Sequence, residues 1–159
     1  MKSPLARSLV TGFLVWTAGL LSAATVQAAE LKLRSQLVWG TDGGKPDGKD
    51  LVELDAKLKD KLKALRWKNY WVIRSEETKV AGKEPRKAML DQCAVELSDL
   101  GNGHLQVKLS SVAGDGKPKL LRTVTEPIEK LEKGGALIIG GDSKEKWDEA
   151  WMVIITMSH

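Results

Sequence analysis

The sequence predicts an α+β domain built mainly of antiparallel β-sheet, or a β-sandwich, with one amphipathic helix after the first strand. The first observation is a segment of alternating apolar and polar residues at 31–39, which is typical of a half-buried strand. The second is a stripe of leucines at spacings of three and four residues that begins at Leu51. The third is the remainder of the chain, where about six β-favouring segments are joined by short turns.

Between the first strand and the helix, residues 40–50 are rich in glycine, contain a proline and predict a surface loop. Asp50 is expected to begin the helix, because Glu53 three residues later completes an arrangement that resembles a capping box. The apolar stripe of this helix is expected to lie on a sheet. Its members are Leu51, Leu54, Leu58, Leu62 and Leu65.

The segments after the helix predict strands. Polar residues 75–86 indicate a turn or an irregular hairpin, and Asp115-Gly116 is a strong hairpin turn signal. The segment 136–139 is apolar throughout and lies between two glycine pairs, so it is expected to be buried on both faces. The predicted strands are 66–74, 89–97, 104–109, 119–125, 136–139 and 151–157.

Residues 1–28 predict a secretory signal peptide. Lys2 and Arg7 form a basic start, an apolar run follows, and Val26-Gln27-Ala28 offers small or short residues where a signal peptidase cleaves. The run is shorter than the roughly twenty residues of a membrane helix, so we expect cleavage after Ala28 and no stable membrane insertion afterwards. No cysteine lies near this position, which argues against a lipoprotein. The expected product is one exported globular domain, residues 29–159, that is periplasmic or secreted.

The charge of the exported chain argues against nucleic-acid binding. The sequence has 25 basic and 21 acidic residues, and the signal segment removes two basic ones, which leaves a net charge of +2. Proteins that bind nucleic acid are expected to concentrate basic residues on one face. The lysines at 57–68 are instead mixed with acids, which indicates a solvated helix face.

Cys93 is the only cysteine, so the exported chain has no internal disulfide and depends on packing for its stability. It stands in an apolar series with Met89, Val95 and Leu97. We expect a small buried hydrophobe rather than a reactive thiol, with an intermolecular disulfide as the open alternative.

The glycine-rich loop resembles a phosphate-binding loop but lacks its essential groups. Gly43 and Gly48-Lys49 have the spacing of a P-loop. Asp50 replaces the Ser or Thr that would hold magnesium, and Pro46 removes one N–H from the cradle. The acids of the loop also lack the alternating spacing of a calcium-binding EF-hand. A turn is the simpler interpretation, and no cofactor or metal is expected.

No catalytic constellation is evident in the sequence. His104 lies on the polar face of a predicted strand, and His159 is the last residue. One internal histidine and one cysteine cannot build a usual zinc site. Ser110 and Ser111 are near His104, but no nucleophile elbow accompanies them. The sequence therefore predicts a non-enzymatic protein.

Tryptophans and lysines are the remaining candidates for a functional site. Five tryptophans follow Ala28, in a mature chain with one tyrosine and no phenylalanine. Such rings either fill the core or, when exposed, stack on sugars or anchor a partner. Trp147 has charged neighbours on both sides and is the best candidate for exposure. The candidate interaction residues are Trp147, Trp71, Trp67, Lys57 and Lys61.

Four blocks of sequence stand out across the mature chain. They are Leu37-Val38-Trp39-Gly40-Thr41-Asp42, Leu65-Arg66-Trp67-Lys68-Asn69-Tyr70, Met89-x-Asp91-x-Cys93-x-Val95-Glu96, and Leu137-Ile138-Ile139-Gly140-Gly141 followed by Ala150-Trp151. Together they resemble a family of small exported bacterial proteins of unknown function, of the planctomycete and verrucomicrobial type. The resemblance implies export and a single domain, and it brings no catalytic residue with it.

These observations favour a non-enzymatic exported protein that binds another protein of the bacterial envelope. A sheet edge could accept a strand of the partner, and the lysine-rich helix would be a second docking face. The alternative is a module that binds a small ligand or a glycan through Trp67, Trp71 or Trp147.

Overall fold

The computed structural model describes residues 30–47, 50–112, 117–140 and 149–158. Within these ranges the chain forms nine strands and two short helices. The strands are β1 Leu31–Thr41, β2 Val52–Glu53, β3 Asn69–Val80, β4 Arg86–Leu90, β5 Cys93–Asp99, β6 His104–Val112, β7 Pro118–Pro127, β8 Leu137–Gly140 and β9 Glu149–Met157; the helices are α1 Ala56–Lys61 and α2 Ile128–Glu132. The predicted class, α+β with mainly antiparallel sheet, is confirmed. The predicted signal peptide, the Asp115-Gly116 turn and Trp147 lie outside the described residues.

The strands form two antiparallel sheets. The five-stranded sheet has the order β2-β3-β1-β9-β8, and the four-stranded sheet has the order β4-β5-β6-β7. In the five-stranded sheet the first strand pairs with the last, so β1 is fixed between β3 and β9 along most of its length. The four-stranded sheet is a simple meander in which each strand pairs with the next along the chain.

The two sheets face each other across an inter-sheet core. The apolar alternation of β1 places Leu33 in this core, and the clean alternation of β6 places Val107 there, both fully buried. Helix α2 contributes the buried Leu131. The main members are Leu31, Leu33, Leu37, Val80, Ala88, Leu90, Cys93, Val95, Leu97, Leu105, Val107, Leu109, Leu131, Leu137, Ile139, Val153 and Ile155.

The opposite face of the five-stranded sheet is covered by the segment that contains β2 and α1. Leu54 and Leu62 of this segment are buried against Val38, Met152 and Ile154 of the sheet, and we call this contact the helix-side core. The sequence-based expectation that the leucine stripe lies on a sheet is therefore confirmed for these positions. Leu65, the last member of the stripe, is 38% exposed and lies outside the contact.

The helix is shorter than the leucine spacing predicts, and its predicted start is wrong. It begins after Asp55, whose Oδ1 accepts a hydrogen bond from the Lys57 N–H at 2.9 Å, so Asp55 and not Asp50 is the N-cap. The physical reason lies upstream, where Val52 pairs with Val72 of β3 and the Leu54 N–H donates to the Tyr70 carbonyl. The backbone groups that the capping-box pattern places in the first helical turn instead form hydrogen bonds with β3.

Two strand predictions also need correction. The strand predicted at 66–74 begins at Asn69 and extends to Val80, so much of the predicted turn at 75–86 is strand. Pairing with β1 extends it, since Leu31 to Leu37 lie opposite Val80 to Arg74. The segment predicted as one strand at 89–97 is two strands, β4 and β5, joined at Asp91, which has a φ of +56°. Helix α2 is not anticipated by the sequence interpretation.

Strand β8 is packed on both faces, as its continuous apolar composition predicts. Leu137 and Ile139 belong to the inter-sheet core, and Ile138 packs on the helix-side core. The burial of Cys93, which is 6% exposed, is likewise confirmed.

Candidate functional site

Three tryptophans lie side by side across the five-stranded sheet. Trp39 in the central strand β1 is directly opposite Trp71 of β3 on one side and Trp151 of β9 on the other. Directly opposite residues of paired strands share a face, and Trp151 packs on the inter-sheet core, so the row lies on the inner face of this sheet. All three residues are half-buried, and the indole N–H of Trp71 is buried without a hydrogen-bond partner among the described residues.

Trp67 is not part of this row. It precedes β3 and packs on the helix-side core, on the opposite face of the sheet from Trp71. Its ring lies against Gly40, where an added Cβ would be 3.1 Å from the Trp67 Cδ2 and Cε3 atoms. The Arg66 guanidinium carbon lies 5.6 Å from the centroid of the same ring, within the range of a cation–π contact.

The sequence therefore identifies tryptophans as candidate binding residues, but it does not predict how they are arranged on the sheet. Trp67 and Trp71, named together as candidates, lie on opposite faces of one sheet. Trp39 and Trp151 join Trp71 only because the strand register brings them together, and no local pattern encodes that register. Trp147, the candidate with the most charged neighbours in sequence, is outside the described residues.

Lys57 and Lys61, the other two candidate residues, lie on the exposed side of α1 and line one cavity of about 450 Å³. The cavity lies where α1 meets β1, β9 and the turn after α2, and Arg34 of β1 also contributes to its wall. The helix thus brings the two lysines to a common site together with a third cation that the sequence interpretation did not single out.

Strand β7 is the longest free edge of the described sheets. It pairs only with β6, and no residue from Pro118 to Pro127 is fully buried. Leu120 is 57% exposed and Leu121 is 44% exposed. A register shift opposite Leu109 and Ser110 interrupts the regular ladder near these two leucines. The composition of residues 119–125 predicts the strand but not its position at the edge.

His104 does not approach the serines that follow it in sequence. It begins β6, and its Nδ1 lies 3.2 Å from the Asn102 carbonyl oxygen. Ser110 lies six residues further along the same extended strand, about 20 Å away. In the described part of the chain, no three His, Cys, Asp or Glu side chains are grouped so that they could hold a metal ion.

The loop after β1 uses its polar groups to fix its own backbone. The Thr41 hydroxyl accepts a hydrogen bond from the Gly43 N–H at 3.0 Å, and Asp42 Oδ1 accepts one from the Lys68 N–H at 3.1 Å. The Asn69 side-chain amide donates to the Gly43 carbonyl at 2.7 Å. These bonds connect the loop to the chain that leads into β3, which is a structural role for Asp42.

No protein-family model matches the chain, and no curated protein or solved structure is significantly similar to it. In the ranges that the structure describes, no helix has both the length and the apolar composition needed to cross a membrane.

Proposed function

We propose that the protein is a non-enzymatic protein of the bacterial envelope that binds a partner protein by adding one of the partner's strands to β7. The observation that supports this proposal is the edge itself. Within the residues that the structure describes, the ten residues of β7 hydrogen-bond to a neighbouring strand on one side only. A free edge presents a row of backbone N–H and C=O groups, which is the recognition surface for β-augmentation.

The other sheet edges are poorer templates. Strand β2 has two residues, β8 has four and β4 has five, so each offers fewer backbone groups than β7. A ten-residue strand spans about 30 Å, which is long enough to bind an extended segment by backbone hydrogen bonds alone.

The side chains of β7 define what such a segment should contain. Leu120 and Leu121 offer apolar surface, and Lys119 and Arg122 on either side of them are exposed cations. We therefore expect a partner strand with apolar residues and at least one acid. Pro118 and Pro127 at the two ends limit the length that can pair and protect the edge from uncontrolled self-association.

The basic start, short apolar run and cleavage sequence of residues 1–28 support export to the periplasm or beyond as part of this proposal. The mass of the N-terminal peptide of the protein recovered from the envelope fraction tests it. A mature chain that begins at Ala29 is the expected result.

Affinity capture from a native envelope extract tests the binding proposal. Wild-type protein and a Leu120→Glu/Leu121→Glu variant are compared by mass spectrometry of the captured proteins. The two new carboxylates remove the apolar surface of the edge and repel an acidic partner, so the partner should be captured by the wild type and lost from the variant.

The matched control is Val52→Glu, since Val52 is 69% exposed on β2 at the edge of the other sheet. This variant should retain the partner. A photo-crosslinking residue placed at the exposed Thr123 should also attach to the partner directly. The β7 proposal is wrong if the wild type, the Leu120→Glu/Leu121→Glu variant and Val52→Glu capture the partner equally. It is also wrong if no partner is captured.

The tryptophan row favours a second candidate function, which is binding of a small ligand or a glycan. Three half-buried indoles aligned on adjacent strands offer a flat surface of the kind that stacks on sugar rings. Envelope glycans should then quench tryptophan fluorescence, and a Trp39→Leu variant should lose most of that quenching. Unchanged fluorescence across a glycan panel would remove this candidate.

A further inference from the structure

The cavity beside α1 combines cationic, polar and apolar walls. Its lining comes from four parts of the chain: α1 with its N-cap, the first half of β1, the end of β9, and α2 with the turn that follows it. Gln36 and Thr156 belong to its sheet wall, and Leu58 provides apolar surface on the side of α1. Met157, which packs on the inter-sheet core, lies at its margin. Its volume of about 450 Å³ is within the range of sites that hold small molecules.

The charges around this cavity are unbalanced. Arg34, Lys57 and Lys61 line it, against a single carboxylate, Asp55. The Asp55 carboxylate already caps the helix through the Lys57 N–H. Arg34 forms an ion pair with Glu77 at 2.6 Å, whereas within the described residues no carboxylate lies within 4 Å of the ammonium group of Lys57 or Lys61. Two cations of the wall therefore remain available to an anionic group.

We propose that this cavity binds a small amphipathic anion, with its carboxylate or phosphate between Lys57 and Lys61 and its apolar body against Leu58. The ammonium groups supply charge-assisted hydrogen bonds to the headgroup, and Arg34 adds to the positive potential of the same wall. Burial of the apolar body supplies the part of the affinity that salt does not screen. The proposal concerns the side of the five-stranded sheet that carries α1, and it does not rest on the function proposed for β7.

The test is binding of 8-anilinonaphthalene-1-sulfonate, an amphipathic anion whose fluorescence rises on transfer to an apolar site. The Lys57→Gln/Lys61→Gln variant removes the two available charges of the cavity. Its Kd for this probe should rise by up to about fivefold, since an exposed charge pair contributes up to ~1 kcal/mol. The Kd of the wild type should also rise with added salt.

The matched control is Lys63→Gln/Lys68→Gln, which makes the same change of charge at neighbouring exposed lysines that do not line the cavity. It should bind the probe with a Kd close to that of the wild type. The neutral analogue N-phenyl-1-naphthylamine reports general apolar surface, and neither double variant should alter its binding. Gln36→Glu adds a carboxylate to the wall of the cavity. It should weaken the binding of the anionic probe, as Lys57→Gln/Lys61→Gln does.

Displacement of the probe by decanoate or by decyl phosphate, each below its micelle concentration, identifies the headgroup, and displacement by either supports the proposal. The proposal is overturned if neither compound displaces the probe, if both lysine double variants lose affinity equally, or if the wild type does not bind the probe. Capture of a partner through β7 is unaffected by any of these results, so the two proposals succeed or fail separately.

Discussion

At the scale of single residues, Cys93 shows how a sequence pattern can identify an environment. Val95 and Leu97 follow it at alternate positions, and the Cys93 side chain is 6% exposed in the inter-sheet core. Burial raises the pKa of the Cys93 thiol, and the nearby Asp91 carboxylate raises it further. Both effects disfavour the thiolate, which is the reactive form, so the residue acts as a small apolar group.

We predict that a thiol reagent modifies Cys93 slowly in the native protein and rapidly after unfolding in denaturant. The raised pKa also predicts the direction of a pH effect. The unfolded thiol ionises at about pH 8.5 while the folded thiol stays protonated, so the free energy of unfolding should fall as pH rises above that value. Denaturant unfolding followed from pH 7 to beyond pH 10 measures this fall.

Cys93→Ala should reduce that dependence on pH near 9 while leaving a further decrease above pH 10. The second decrease is expected because burial, and then the charge of Asp42, raise the pKa of Tyr70. Fast labelling of the native thiol, or identical pH profiles for the wild type and Cys93→Ala, would contradict this account.

At the scale of elements, the segment 50–62 shows where local patterns mislead. Its leucine spacing is helical from Leu51 onward, yet the first residues form β2 and only Ala56–Lys61 is helix. The spacing is kept because Leu54 and Leu62 both reach the same apolar face of the sheet. An apolar stripe reports which side chains are buried, and it reports the backbone conformation only when no sheet edge competes for the backbone.

Substitution of the two candidate caps distinguishes the sequence-based helix from the observed one. Asp55→Ala removes the acceptor of the Lys57 N–H and should lower the free energy of unfolding by about 1 kcal/mol. Asp50→Ala changes an exposed residue that makes no capping bond and should have almost no effect. Chemical denaturation of both variants measures the difference. Asp55→Asn keeps a side-chain oxygen that can cap the helix, so it should keep most of the stability that Asp55→Ala loses. If Asp50→Ala lowered the free energy of unfolding more than Asp55→Ala, the result would support the longer helix that the sequence predicts.

At the scale of the whole molecule, the described residues form three layers: the β2–α1 segment, the five-stranded sheet and the four-stranded sheet. The five-stranded sheet is apolar on both faces where it is covered, and β9 contributes consecutive buried residues to the two cores. The outer face of the four-stranded sheet is polar, with Glu96 and Lys108 paired across β5 and β6 at 3.0 Å. The central sheet therefore contributes side chains to both cores.

This layering predicts that two adjacent residues of β9 stabilise the molecule through different cores. Ile155 lies in the inter-sheet core and Ile154 in the helix-side core, and both are fully buried. Ile155→Val and Ile154→Val should each lower the free energy of unfolding by about 1 kcal/mol. Ile73→Val, at a residue 38% exposed, is the control and should have a smaller effect. An unaltered stability of Ile154→Val would mean that α1 does not pack on the sheet.

The sequence by itself determined the mainly β class, the alternation of β1 and β6, the burial of Cys93 and the side chains of the leucine stripe that face the sheet. Each of these is a local property, because a side-chain period of two or four residues depends only on residues that are close together in the sequence. The tertiary structure alone decided the N-cap at Asp55, the row of Trp71, Trp39 and Trp151, the free edge at β7 and the meeting of Arg34 with Lys57 and Lys61. These depend on register and strand order, which are set by contacts between residues far apart in the chain, and no local pattern contains them.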